Sequence, residues 1–132
     1  HNMAHTRKWK MLSTTSPAFS ISEFEGLRMN DIYQYTMANY SENISLRQIA
    51  EVAHLTLPAF CRYFKKQTNK TYINFVNEIR ISEACNKISE GDLKSMSAIA
   101  HETGFSNVTN FNRVFKKINR TSPRQFFEKQ KR

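Results

Sequence analysis

Ile99-Ala100-His101-Glu102-Thr103-Gly104-Phe105-Ser106-Asn107-Val108-Thr109-Asn110-Phe111-Asn112-Arg113-Val114-Phe115-Lys116-Lys117 is a stretch the chain has already written once. Ile49-Ala50 returns as Ile99-Ala100, Leu55-Thr56 as Phe105-Ser106, and Phe60-x-Arg62-x-Phe64-Lys65-Lys66 as Phe111-x-Arg113-x-Phe115-Lys116-Lys117. The offset is 50 through Thr56 and 51 from Phe60 onward, which puts one inserted residue at the start of the second helix of the second copy. Each copy reads as a short helix, a tight turn and a second helix.

Within the first copy, Ser45-Leu46-Arg47-Gln48 has the spacing of a capping box. Leu46, Ile49, Ala50 and Ala53 then recur at i, i+3, i+4 and i+7, the buried face of a short helix. His54 stands where the second copy has Gly104, at a turn expected to need left-handed backbone. Thr56 is the expected cap of the next helix, and Pro58 falls in its first turn, where a missing N–H costs nothing. In the second copy Ser95 is the expected cap, with Met96, Ile99, Ala100 and Thr103 facing inward and His101 in solvent.

The two second helices divide their residues in the same way at a helical pitch of about 100° per residue. Phe60, Tyr63, Phe64 and Gln67 fall on one side of the first, and Pro58, Cys61, Arg62 and Lys65 on the other. Phe111, Val114, Phe115 and Ile118 face inward in the second, with Thr109, Asn112, Arg113 and Lys116 outward. An arginine in the middle of both outward stripes is what a helix reading the DNA major groove requires. The phenylalanines belong to the core and are not stacking platforms for single strands.

Moving outward, Asn69 is expected to end the first unit as a left-handed cap. A long helix then runs from Thr71 or Tyr72 to Glu90 and closes at Gly91, with Ile73, Val76, Ile79, Ile81, Ala84 and Ile88 packing on both sides. Its 19 residues would span about 28 Å at about 1.5 Å per residue, near the roughly 34 Å between successive major grooves on one DNA face. Asn30 or Asp31 is expected to start an earlier helix ending near Tyr40, with Ile32, Tyr35, Thr36 and Tyr40 inward. Ser122-Pro123-Arg124-Gln125 is a second capping box opening a short last helix through Phe126-Phe127, followed by a frayed basic tail, Lys129-Gln130-Lys131-Arg132.

Residues 1–28 show no clean period and read as an arm or linker. Arg7-Lys8-Trp9-Lys10 is taken as its solvated basic-aromatic cluster, and His1-Asn2-Met3 as a tag remnant with an initiating Met. Residues 29–132 then form the domain proper. Three Gly, three Pro and no alternating apolar runs favour helices over strands.

A net charge of +9 calls for a polyanionic partner, nucleic acid ahead of an anionic membrane. The charge is concentrated: residues 92–132 hold nine basic and three acidic groups, whereas residues 29–91 hold seven and six. Cys61 and Cys85 have neither a Cys-x-x-Cys partner nor a nearby His pair, so no disulfide framework, metal site or cofactor is expected. Scattered histidines and the lack of a Gly-rich phosphate loop argue against an enzyme. No apolar run or signal peptide points to a membrane, and a soluble cytoplasmic protein is expected.

The duplicated unit, the connector with Arg80 and Ala84, Gly104-Phe105-Ser106, the Phe111-to-Lys117 block and the closing Thr121-Ser122-Pro123 together resemble the DNA-binding domain of the AraC/XylS family of bacterial transcription regulators. The resemblance covers about residues 29–130. It implies an all-α domain of about seven helices, two helix-turn-helix subdomains on a connecting helix. Recognition helices at about 57–67 and 107–118 would then enter adjacent major grooves of one promoter or operator.

Carried over by position, the base readers are Pro58, Cys61 and Arg62 in the first unit and Thr109, Asn112 and Arg113 in the second. Arg62 and Arg113 suit guanine O6/N7, Asn112 adenine N6/N7, and Thr109 a hydroxyl contact or a thymine methyl. Pro58 and Cys61 depart from the usual polar readers, which predicts weaker or more shape-based reading by the first helix. Thr56, Lys65, Lys66, Ser106, Asn107, Lys116 and Lys117 are the phosphate candidates.

Family members usually carry a separate effector-sensing or dimerisation domain, which residues 1–28 are too short to form. The chain is therefore expected to be either the C-terminal part of a longer regulator or a stand-alone member. Activators of this family also touch RNA polymerase. The competing reading is a protein-interaction module that docks on polymerase or another regulator through the 29–91 half, which holds most of the acidic groups, with only non-specific DNA affinity.

Overall fold

The computed structural model describes residues 20–91 and 95–130, with side chains from residue 26 onward. Seven helices and no strand are found among the described residues: α1 Ser20–Asn39, α2 Leu46–Val52, α3 Leu57–Thr68, α4 Tyr72–Ser89, α5 Met96–Glu102, α6 Val108–Asn119 and α7 Pro123–Gln130. The all-α, duplicated architecture expected from the sequence is the one observed.

The ends of these helices follow from side chains placed to satisfy orphan backbone groups. Ser45 Oγ accepts from Gln48 N at 3.0 Å while Gln48 Oε1 accepts from Ser45 N at 2.8 Å, a complete capping box. The same reciprocal pair forms between Ser122 and Gln125 at the start of α7. Thr56, Thr71 and Ser95 cap α3, α4 and α5. Left-handed backbone occurs at His54 (φ 59°) and Gly104 (φ 103°), the matched turns of the two copies. Asn69 (φ 63°) and Arg120 (φ 64°) end α3 and α6 in the same conformation.

Two cores form, and they share no residue. The first gathers Ile32, Ile49, Ala50, Phe60, Phe64, Tyr72 and Val76 from α1–α4. The second gathers Ile81, Ala84, Ile88, Ile99, Phe105, Phe111 and Phe115 from α4–α6, with Phe126 of α7 against it. The connector therefore gives its first half to one unit and its second half to the other. Tyr72 fixes the first half: its ring meets Phe60 and Phe64 edge-on at 5.5 and 5.4 Å, and its hydroxyl bonds Thr36 Oγ1 at 2.6 Å. Burial pushes the Tyr72 hydroxyl pKa up to about 12.

Several expectations are corrected. The first helix begins at Ser20, ten residues before Asn30. Asn30 and Asp31 lie mid-helix because Met29 and Ile32 are both buried and Arg28 lies over the Tyr63 ring at 5.5 Å, so packing carries the helix past the sequence caps. Gln67 is exposed and Ile118 is 37% exposed. The inward row instead follows i+4 steps, Phe60-Phe64-Thr68 and Phe111-Phe115-Asn119, ending in side-chain bonds from Thr68 to Phe64 O and from Asn119 to Cys85 Sγ. Ile73 is 57% exposed, since Tyr72 holds the inward position of that turn.

Lys129 and Gln130 belong to α7 instead of a frayed tail. The residue inserted in the second copy lies in the turn: Asn107 caps α6 where Thr56 caps α3, leaving Ser106 as the extra turn residue. Arg7-Lys8-Trp9-Lys10 lies outside the described residues.

Candidate nucleic-acid interface

Each recognition helix presents its outward stripe to solvent because the opposite stripe is committed to a core. On α3, Pro58, Cys61, Arg62, Lys65 and Lys66 are all exposed, with Phe60 and Phe64 fully buried behind them. On α6, Thr109, Asn112, Arg113, Lys116 and Lys117 are exposed over buried Phe111 and Phe115. Thr56, Ser106 and Asn107 are exposed at the helix starts. The structure thus brings the sequence-predicted residues onto two matched surfaces, one per unit.

Among the described residues, nothing compensates the cations on these surfaces. The ion pairs among the described residues, Lys70–Glu78 at 2.7 Å and Lys87–Glu102 at 3.4 Å, lie off both stripes. No carboxylate is within ion-pair distance of Arg62, Lys65, Lys66, Arg113, Lys116 or Lys117 among the described residues. Lysines and arginines without a carboxylate partner on an exposed helix face give a positive potential that phosphates can neutralise.

The helix starts differ in what they offer. Thr56 Oγ1 takes the Ala59 amide at 3.3 Å and Asn107 Oδ1 takes the Asn110 amide at 2.7 Å. Pro58 carries no amide hydrogen, so the first turn of α3 is left with the Leu57 N–H, whereas α6 keeps those of Val108 and Thr109. The second helix therefore offers a phosphate one more backbone donor at its positive end.

The two arginines differ as well. Arg113 Nη2 donates to Asn110 Oδ1 at 2.6 Å, which holds the guanidinium along the outer face of α6. The equivalent position in α3 is Ala59, which offers Arg62 no such anchor. The Arg113–Asn110 contact escaped the sequence reading, although the i, i+3 spacing of the pair was there to be seen.

Residues 49–129 match the family model described as a helix-turn-helix domain. The chain belongs to the AraC/XylS family. An HTH-type transcriptional regulator of Pseudoalteromonas carrageenovora is 34% identical over 92 residues, spanning 70% of this chain and 54% of that protein. The HTH-type transcriptional activator RhaS of Pectobacterium carotovorum is 31% identical over 86 residues, 65% of this chain and 30% of RhaS. A solved transcriptional regulator with an AraC-type DNA-binding domain from Chromobacterium violaceum shares the fold at a TM-score of 0.73 and 20% identity, over 80% of this chain and 94% of that one.

The chain spans only about a third to a half of the curated relatives it matches. The matched part is the helix-turn-helix domain that this family of regulators carries. No helix among the described residues is long and apolar enough to cross a membrane, and no group of three or more metal-ligating side chains occurs among them.

The two units meet around one side chain. Arg80, in the middle of α4, donates from Nε to Tyr40 O at 2.8 Å and from Nη2 to Glu42 O at 2.9 Å. Its Cζ lies 5.8 Å from the centre of the Phe105 ring. Burial lowers the guanidinium pKa, but arginine remains charged at any physiological pH. In the sequence Arg80 is only a family feature, because its carbonyl partners lie about 40 residues away.

Proposed function

We propose that α3 and α6 enter adjacent major grooves on one face of a promoter or operator and read an asymmetric, two-box site. The observation that carries this reading is the pair of matched stripes, uncompensated among the described residues, each with an arginine at its centre and a Lys-Lys pair one turn on. In the first box Arg62 reads a guanine while Pro58 and Cys61 offer only shape and apolar contact. In the second, Thr109, Asn112 and Arg113 supply three polar readers, so that box carries more of the sequence information. Thr56, Lys65, Lys66, Ser106, Asn107, Lys116 and Lys117 hold phosphates and set the register. The 18 residues of α4 give a connector of about 27 Å at about 1.5 Å per residue, commensurate with the roughly 34 Å groove repeat.

In the same reading the domain works in the bacterial cytoplasm within a larger regulator, with an effector-sensing domain outside this chain and RNA polymerase as a further partner. The relationship to RhaS, a transcriptional activator, favours activation over repression. Selection from random duplex DNA at two salt concentrations tests the proposal. An asymmetric site of two short boxes about one helical turn apart is expected. A featureless pool whose binding vanishes with salt would refute it and favour the protein-docking alternative.

Lys116→Ala separates phosphate contact from base reading. It is expected to weaken binding to all sequences alike and to reduce the slope of log K against log salt by about one. A loss confined to the selected site would show that Lys116 reads bases instead.

A further inference from the structure

The two cores share no residue, so α4 and whatever contacts bridge the units must set the angle between α3 and α6. A continuous α-helix is stiff, but contacts between the units are what keep each from rocking on its own half of it. Arg80 is at that midpoint. Its guanidinium spends two donors on the carbonyls of Tyr40 and Glu42, in the loop that follows α1 of the first unit. From the other side the turn of the second unit closes on it. Gly104 packs so tightly that a Cβ there would collide with the Tyr40 carbonyl oxygen and lie 2.7 Å from Arg80 Nε. Phe105, the next residue, places its ring near the same guanidinium and is itself buried in the second core. One side chain thus touches the loop of one unit and the turn of the other.

We propose that Arg80 is a positioning residue that fixes the orientation of the two recognition helices and thereby sets the box spacing this domain accepts. The DNA half of the proposal rests on the two-groove reading above; the orientation half does not. The planar fork of arginine suits the role because the carbonyls of Tyr40 and Glu42, two positions apart, are bound at once. A lysine ammonium is a compact point donor that keeps the charge but loses that geometry. Gly104 is the complementary half of the clasp: it has positive φ and no room for a side chain.

The test measures orientation without DNA first. Spin labels on Cys61 of α3 and on Asn112→Cys, its counterpart on α6, in a Cys85→Ser background, report the distance distribution between the recognition helices. A single narrow distribution is expected with Arg80 present. Arg80→Lys and Gly104→Ala should broaden it or split it while helical circular dichroism stays the same. An unchanged distribution in both variants would overturn the proposal. Should Arg80→Ala fail to fold, Arg80→Lys retains the charge and stem and gives the same readout.

The second arm uses unlabelled protein on the selected site, on each box alone, and on sites with one or two base pairs inserted between the boxes. Joining two boxes on one rigid reader is expected to gain about 10²–10⁴-fold over one box. Arg80→Lys should cut that gain by about tenfold or more and flatten the spacing preference, with single-box affinity nearly unchanged. A full gain and sharp spacing preference in Arg80→Lys would refute the positioning role while leaving the two-groove reading intact. A parent domain with no two-box gain would instead refute the two-groove reading, and with it the claim about spacing.

Discussion

Phe111→Ala is expected to remove about 3–5 kcal/mol of stability, a large part of the roughly 5–15 kcal/mol that holds a domain folded. The ring is fully buried and meets Phe105 at 5.4 Å and Phe115 at 5.6 Å, both edge-on, so its loss leaves a cavity bounded by aromatic rings that cannot all collapse into it. The residue also backs Asn112 and Arg113, and its loss should remove binding to the second box. Because the cores share no residue, amide NMR spectra should lose the dispersed signals of α5–α7 while those of α2 and α3 persist. Uniform loss across both halves would show a single cooperative core instead of two.

Arg113→Ala is expected to cost about 1–3 kcal/mol on the selected site and to relax one base position, with a much smaller loss on random DNA. Arg62→Ala should act on the other box with a smaller effect. Asn110 already holds Arg113 along the helix face, so less rotamer freedom is lost on binding, whereas Ala59 leaves Arg62 unrestrained. Anisotropy titrations against the site and its single-base variants measure both. Equal losses on specific and random duplexes would refute the assignment of these arginines as readers.

Much of this arrangement could be read from residues alone because the information is local and written twice. The capping boxes at Ser45 and Ser122, the left-handed turns at His54 and Gly104, and the division of α3 and α6 into core and surface all depend on spacings of a few residues. The repeat then distinguishes chance from design: an outward arginine in one helix is ordinary, and one in the same register of both is not. What stayed hidden depends on contacts between distant residues. The early start of α1 is stabilised by Met29, Ile32 and the Arg28–Tyr63 contact, none of which a cap signal reports. The drift of the core row from Ile118 to Asn119 reflects the seat that Cys85 offers. Arg80 reads as one more cation on a helix until Tyr40, Glu42 and Gly104 are brought around it.

Guanine-N7 methylation interference on the selected site tests the central claim most directly, because N7 faces the major groove and methylation blocks an arginine that reads it. The account predicts two clusters of interference on one face of the duplex, about 10–10.5 base pairs apart. Arg62→Ala should erase one cluster and Arg113→Ala the other. A single cluster, or two that both vanish with the same substitution, would contradict the claim that α3 and α6 read separate grooves.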